Sequence, residues 1–137
     1  MANITRINPP GSPATKKYHH VVSAEGGRTI YLAGQIAFDR NRNIVGGDDI
    51  VAQTRQALTN LKRNVEAAGA SMTDVVKINT YVVNYDQAQL QTIVDVIGEF
   101  FPEGHEPTNT LLGIERLAVD GLLIEIEAIA VTDRPLP

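Results

Sequence analysis

Apolar and polar positions alternate most clearly over residues 122–131, LLIEIEAIAV. Residues 124, 126, 128 and 130 are all apolar, whereas 123, 125, 127, 129 and 131 mix apolar residues with Glu125 and Glu127. Successive side chains of a strand point to opposite faces, so this run has one fully apolar face, expected to meet helices, and one mixed face. The mixed face carries enough Leu, Ile and Val to be buried too. Its two carboxylates therefore stand either in solvent or at a polar pocket or subunit interface. The same reading predicts strands over 4–7, 18–23 and 29–38, the last two joined by the hairpin chemistry of Ala24-Glu25-Gly26-Gly27-Arg28. A further strand is expected over 74–83, with Val76, Ile78, Thr80 and Val82 opposite Val75, Lys77, Asn79 and Tyr81.

Two stretches have helical spacing instead. From a cap at Asp48 or Asp49, Ile50, Ala57, Leu58, Leu61, Val65 and Ala68 form one stripe opposite Gln53, Gln56, Asn60, Lys62, Arg63 and Glu66; Gly69 ends the helix predicted over 49–68. Asp86 is placed to cap a second helix over 86–101, with Leu90, Ile93, Val94, Ile97 and Phe101 inward and Pro102 and Gly104 closing it. Strands, helix, strand, helix, strand is an α+β order in which both helices cover one face of a mixed sheet. The uncovered face would hold Tyr81, Leu123, Ile129 and Val131. That is too apolar for free exposure, so a homo-oligomer is expected, with Glu125 or Glu127 near a subunit seam.

Composition narrows the function classes. The 137 residues suit one domain over 1–137, and 43% hydrophobic with 20% charged residues reads as soluble and globular. No apolar run is long enough for a membrane span and no leader pattern opens the chain, so the expectation is a cytoplasmic protein with no membrane partner. The chain has no Cys, which removes disulfides, thiolate metal sites and a cysteine nucleophile. A net charge of −4 with scattered cations argues against nucleic acid as a partner. His19 and His20 are adjacent, and neighbouring side chains on a strand point apart. No metal is expected there, and no cofactor elsewhere: Gly26-Gly27 and Gly46-Gly47 lack phosphate-loop spacing, and Ser12, Ser23 and Ser71 lack a nucleophile-elbow context. Tyr18, beside the proline-rich arm, is a candidate cleft residue.

The chain resembles the RidA (YjgF) family of reactive-intermediate deaminases over almost its whole length. The segments that carry the resemblance are Tyr31-Leu32-Ala33-Gly34-Gln35-Ile36, Asp49 to Gly69, Asp74-Val75-Val76-Lys77 and Ile124-Glu125-Ile126-Glu127-Ala128-Ile129-Ala130. The resemblance implies a chorismate-mutase-like α+β fold and a homotrimer with clefts between subunits. It also implies hydrolysis of enamine or imine intermediates to 2-oxo acids and ammonia. The family motif has an arginine shortly after a proline, which grips the substrate carboxylate, and a last-strand glutamate that positions water. Here these positions match Asn109, after Pro107, and Glu127. Tyr18 and Gly34 match as well, while Ala33 replaces a small hydroxyl residue and Leu111 follows in the altered segment Thr110-Leu111-Leu112-Gly113.

Asn109 changes the expected chemistry. A guanidinium offers carboxylate a charged fork, whereas an amide offers ordinary hydrogen bonds. At about 1.5–3 kcal/mol for each charge-assisted bond, the loss weakens 2-imino acid binding by roughly two orders of magnitude. The expectation is thus a homotrimer that binds a small-molecule metabolite in inter-subunit clefts. Glu127 is the catalytic candidate, and Tyr18, Ala33, Gly34, Asn109 and Leu111 are the binding candidates. Hydrolysis of imines or related compounds would be retained, but not efficient hydrolysis of 2-imino acids. A non-catalytic ligand-binding or regulatory trimer is the alternative, and a ribonuclease or translation inhibitor a third reading.

Overall fold

The structure is a computed structural model that describes residues 2–137. The first two strands, β1 (Asn3–Ile7) and β2 (Val21–Glu25), pair antiparallel. The other four, β3 (Arg28–Gln35), β4 (Val75–Val83), β5 (Thr108–Ile114) and β6 (Ile124–Thr132), form a second sheet in the order β3-β6-β4-β5. β6, the alternating run of the sequence, lies between β3 and β4 and is antiparallel to both; β4 and β5 are parallel.

Two helices, α1 (Ile50–Ala67) and α2 (Leu90–Gly98), lie on one face of this sheet. Leu58, Leu61 and Val65 of α1 and Ile93, Val96 and Ile97 of α2 pack on Ile30, Ile78, Val82, Ile124, Ile126, Ala128 and Ala130. Each fully buried aliphatic side chain of this kind contributes about 1.5–3 kcal/mol of transfer free energy, which is why the apolar face of β6 fixes where the helices sit. The expected cap is present: Asp49 accepts from Val51 N at 2.9 Å and Ala52 N at 3.3 Å. Gly69, at φ +80°, ends the helix in a conformation that glycine adopts without steric cost.

Five expectations change. The strands expected over 18–23 and 29–38 do not pair as a hairpin: β2 pairs with β1 and β3 with β6, in separate sheets, because the apolar face of β6 takes β3 as its neighbour. The helix predicted over 86–101 is α-helical only over Leu90–Gly98. A 3-10 turn, Gln87–Gln89, precedes it because Asp86 accepts from Ala88 N while the Gln89 side chain returns to Asp86 N, and this capping box tightens the first turn. Gln53 and Asn60, expected on the polar side of α1, are buried. Gln53 donates to Gly47 O and Gly121 O and accepts from Leu123 N; Asn60 donates to Ile36 O and Phe38 O. Both amides satisfy loop backbone that would otherwise lie unpaired in the interior. Val75, assigned to the outer face of β4, is fully buried because a register shift between Val75 and Lys77 switches the alternation. Finally, β5 was not expected. Its Leu111-Leu112-Gly113 breaks the alternation, and it becomes a strand only as the edge partner of β4.

Candidate functional site

The face of the sheet opposite the helices carries the first half of the site. Pairing in register sets Asn79 beside Glu127, Tyr81 beside Glu125 and Lys77 beside Ile129. Glu127 Oε1 accepts from Asn79 Nδ2 at 2.9 Å and from Tyr81 Oη at 2.5 Å. Among the described residues, Oε2 has no protein donor. The hydrogen bond from Tyr81, then that from Asn79 and the nearby Lys77 charge, hold the Glu127 carboxyl below its usual range; the same bond raises the Tyr81 hydroxyl above its own. The result is a fixed, ionised carboxylate with one oxygen available.

Glu127 lines a groove of about 280 Å³ with Tyr31, Leu32, Ala33, Lys77, Asn79, Ala128 and Ile129. Tyr31, 79% exposed, forms its outer wall. At the rim β3 bulges: Leu32 pairs with Ala128 but Gln35 with Ile126, so three steps on one strand oppose two on the other. The bulge takes in Ala33 and Gly34, and Glu125 packs onto it. A Cβ built on Gly34 would stand 2.7 Å from Glu125 Cδ and 2.8 Å from Cγ. Burial first, then the neighbouring Glu127 charge, push the Glu125 carboxyl above its usual range. Gly34→Ala is expected to displace the Glu125 side chain at a cost of about 1–3 kcal/mol. Adding Glu125→Ala should recover most of that loss in urea unfolding, and a loss unchanged by the second substitution would mean the two positions do not touch.

The remaining candidates lie on a different part of the molecule. Asn109 pairs with Ile78 and Leu111 with Thr80, so both point to the helix-covered side. Asn109 Oδ1 accepts from the buried Thr80 hydroxyl at 3.0 Å, and Leu111 packs against the core. Tyr18 is half-buried, its ring edge-on to His20 at 5.1 Å. Its neighbour His19 ties the arm to the start of β5 through His19 N to Pro107 O at 3.2 Å and His19 Nδ1 to Glu106 O at 2.7 Å. Within the chain the structure brings Ala33 and Glu127 together in one groove, with Gly34 next to Ala33 in the bulge, and ties the arm that carries Tyr18 to the start of β5, the strand of Asn109 and Leu111. It does not join the two groups.

Asn79 and Lys77 were not singled out as site residues, although the period-two reading had already put them on the face of Tyr81. The bulge at Ala33 and Gly34 left no sequence signal beyond the glycine. His20 Nε2 bonds Pro13 O at 2.9 Å, so the adjacent histidines serve separate backbone contacts. Among the described residues, no group of three His, Cys, Asp or Glu is placed to hold a metal ion, and no helix is long and apolar enough to cross a membrane.

A mixed sheet covered by two helices on one face, with an anchored carboxylate on the bare face, defines the class as a YjgF-like α+β domain. The chain belongs to the RidA/YjgF family: the family model described as Endoribonuclease L-PSP matches residues 10–132. It is 37% identical over 107 residues to a 2-iminobutanoate/2-iminopropanoate deaminase of Dermatophagoides farinae, which covers 78% of this chain and 80% of that protein. A crystal structure of the Rid family protein YyfB from Yersinia pestis, of unknown function, superposes with a TM-score of 0.90 at 44% identity, covering 95% of this chain and 99% of that one. The E. coli TdcF structure with bound serine gives 0.66 at 33% identity, covering 78% and 82%.

Proposed function

We propose that three copies of this chain assemble through their bare sheet faces and that each cleft between copies binds a small metabolite. In this reading the groove of one copy, with Glu127, Ala33 and Gly34, meets the β5 edge of the next, the strand that carries Asn109 and Leu111 and to which the arm with Tyr18 is tied. Two observations support the assembly. Tyr31, Ile129 and Leu112 leave the bare face rich in apolar surface, and the candidate residues of one subunit fall into two groups that do not meet. Sedimentation at micromolar concentration is expected to give a trimer; a stable monomer would remove the cleft.

The reaction we assign to the cleft is hydrolysis of an imine or enamine. The observation that carries it is the Glu127 carboxylate, held by Asn79 and Tyr81 through Oε1 alone. Its other oxygen, without a donor among the described residues, can accept a hydrogen bond from water and aim the water lone pair at an electrophilic carbon. The deaminase relative supports the same chemistry. Asn109 supplies no charged fork, so 2-imino acids are poor substrates and imines lacking an adjacent carboxylate are favoured. The test generates imines in situ from a panel of amines and amino acids and traps them as semicarbazones. Wild-type protein should lower the trapped amount for carboxylate-free imines most.

If no imine disappears faster, the second reading stands: a trimer that binds its ligand without turnover. The TdcF structure, which holds serine, favours ligand binding of some kind in this fold. Ribonuclease action has less support, since the net charge of −4 opposes an affinity built on neutralising phosphates.

A further inference from the structure

Between imines with a carboxylate on the reacting carbon and imines with none stands a third class, whose anionic group is carried on a remote carbon. The groove holds a cation suited to that group. Lys77, on β4, lines it together with Glu127, and among the described residues that line it Lys77 is the only cation. Its side chain is exposed, and among the described residues its ammonium enters no ion pair. Glu127 does not occupy it, because that carboxylate is held by Asn79 and Tyr81 instead.

Strand register sets the distance between the two charges. Lys77 and Tyr31 flank Ile129, forming one row across the bare face, and the next row pairs Asn79 with Glu127. Lys77 and Glu127 are thus diagonal neighbours, with Cα atoms roughly 7–8 Å apart. The flexible four-carbon stem of lysine carries its ammonium over the groove between them. A ligand that reaches from Glu127 to Lys77 lies along Ile129, which is half-buried and suits a short aliphatic spacer. The groove, about 280 Å³, has room for a chain of a few carbons.

Position along that chain decides the sign of the electrostatic effect. A carboxylate on the reacting carbon lies against the Glu127 charge. One carried two or three methylenes away leaves Glu127 and meets Lys77, so repulsion gives way to a charge-assisted hydrogen bond.

We propose that Lys77 determines specificity at this site by binding a carboxylate separated from the imine carbon by two or three methylenes, which makes the imines of short oxo acids with a remote carboxylate the preferred substrates. This rests on the imine-hydrolysis reading above and adds to it the end at which the ligand carries its charge.

The test is calorimetric titration of wild type, Lys77→Met and Lys77→Arg with 4-oxopentanoate, 2-oxobutyrate and butanone, which differ in whether the carboxylate is remote, adjacent or missing. Wild type should bind 4-oxopentanoate roughly tenfold more tightly than butanone, the lower end of the range for one charge-assisted hydrogen bond. Lys77→Met should lose that advantage, with butanone affected far less, and Lys77→Arg should keep most of it. Added salt should weaken 4-oxopentanoate and not butanone. In turnover, 4-iminobutanoate generated from 4-aminobutanoate should show a KM that rises in Lys77→Met by more than kcat falls. Equal affinity for 4-oxopentanoate in wild type and Lys77→Met overturns the role of Lys77 and leaves hydrolysis by Glu127 in place. A wild type that binds 4-oxopentanoate through Lys77 but clears no imine supports the recognition role and overturns the hydrolysis reading alone. A wild type that binds none of the three compounds overturns the role of Lys77 outright.

Discussion

Glu127→Gln should abolish imine hydrolysis, with a fall in kcat of roughly 10²–10⁴-fold, the range expected for removing a positioned general base. The substitution is nearly isosteric. The new amide oxygen still accepts from Asn79 Nδ2 and Tyr81 Oη, so the side chain keeps its position on β6. What is lost is the charge and the free oxygen that takes the water proton. Stability should therefore change by less than about 1 kcal/mol, since the bonds that remain are neutral ones. Because the groove keeps its shape, KM should move far less than kcat, which separates lost chemistry from lost binding. Equal activity in the variant would remove Glu127 from the mechanism and return the protein to the ligand-binding reading.

Asn109→Arg should raise affinity for 2-oxobutyrate by up to about a hundredfold, the value of restoring a charged fork to a carboxylate ligand. Wild type itself should bind 2-oxobutyrate weakly and turn over 2-aminoacrylate poorly, because an anion approaching ionised Glu127 meets like charge with no guanidinium to offset it. The substitution carries a cost that the sequence did not reveal. Asn109 is the acceptor for the buried Thr80 hydroxyl, and arginine has no acceptor, so about 1–3 kcal/mol of stability should be lost. Calorimetric titration together with urea unfolding checks both effects. Tight binding by wild type, or no gain in a folded variant, would mean that Asn109 only serves Thr80 and does not face the ligand.

The elements were legible wherever one periodicity ran uninterrupted. The core faces of β6 and α1 were read from spacing alone, because burial of Ile124, Ile126 and Ala128 against Leu58 and Leu61 is what period two and period 3.6 encode. Legibility failed where a polar side chain serves distant backbone. Gln53 bonds Gly121 O and Leu123 N, some seventy residues away, and nothing in the local pattern distinguishes it from a solvated glutamine. It failed also where one extra residue switches the faces, at Val75 and at the bulge of Ala33 and Gly34.

By itself the sequence determined the α+β order, the central place of the run from 122 to 131, and the presence of two glutamates on the face of that run away from the helices. Residue pattern carries these because each depends on the period of one element. Only the tertiary structure decided that Asn79 and Tyr81 anchor Glu127, that Glu125 rests on Gly34, and that Asn109 turns to Thr80 on the opposite side of the sheet. Each of these depends on strand register between segments about 30 to 90 residues apart, and register is fixed by pairing and packing that no local spacing records.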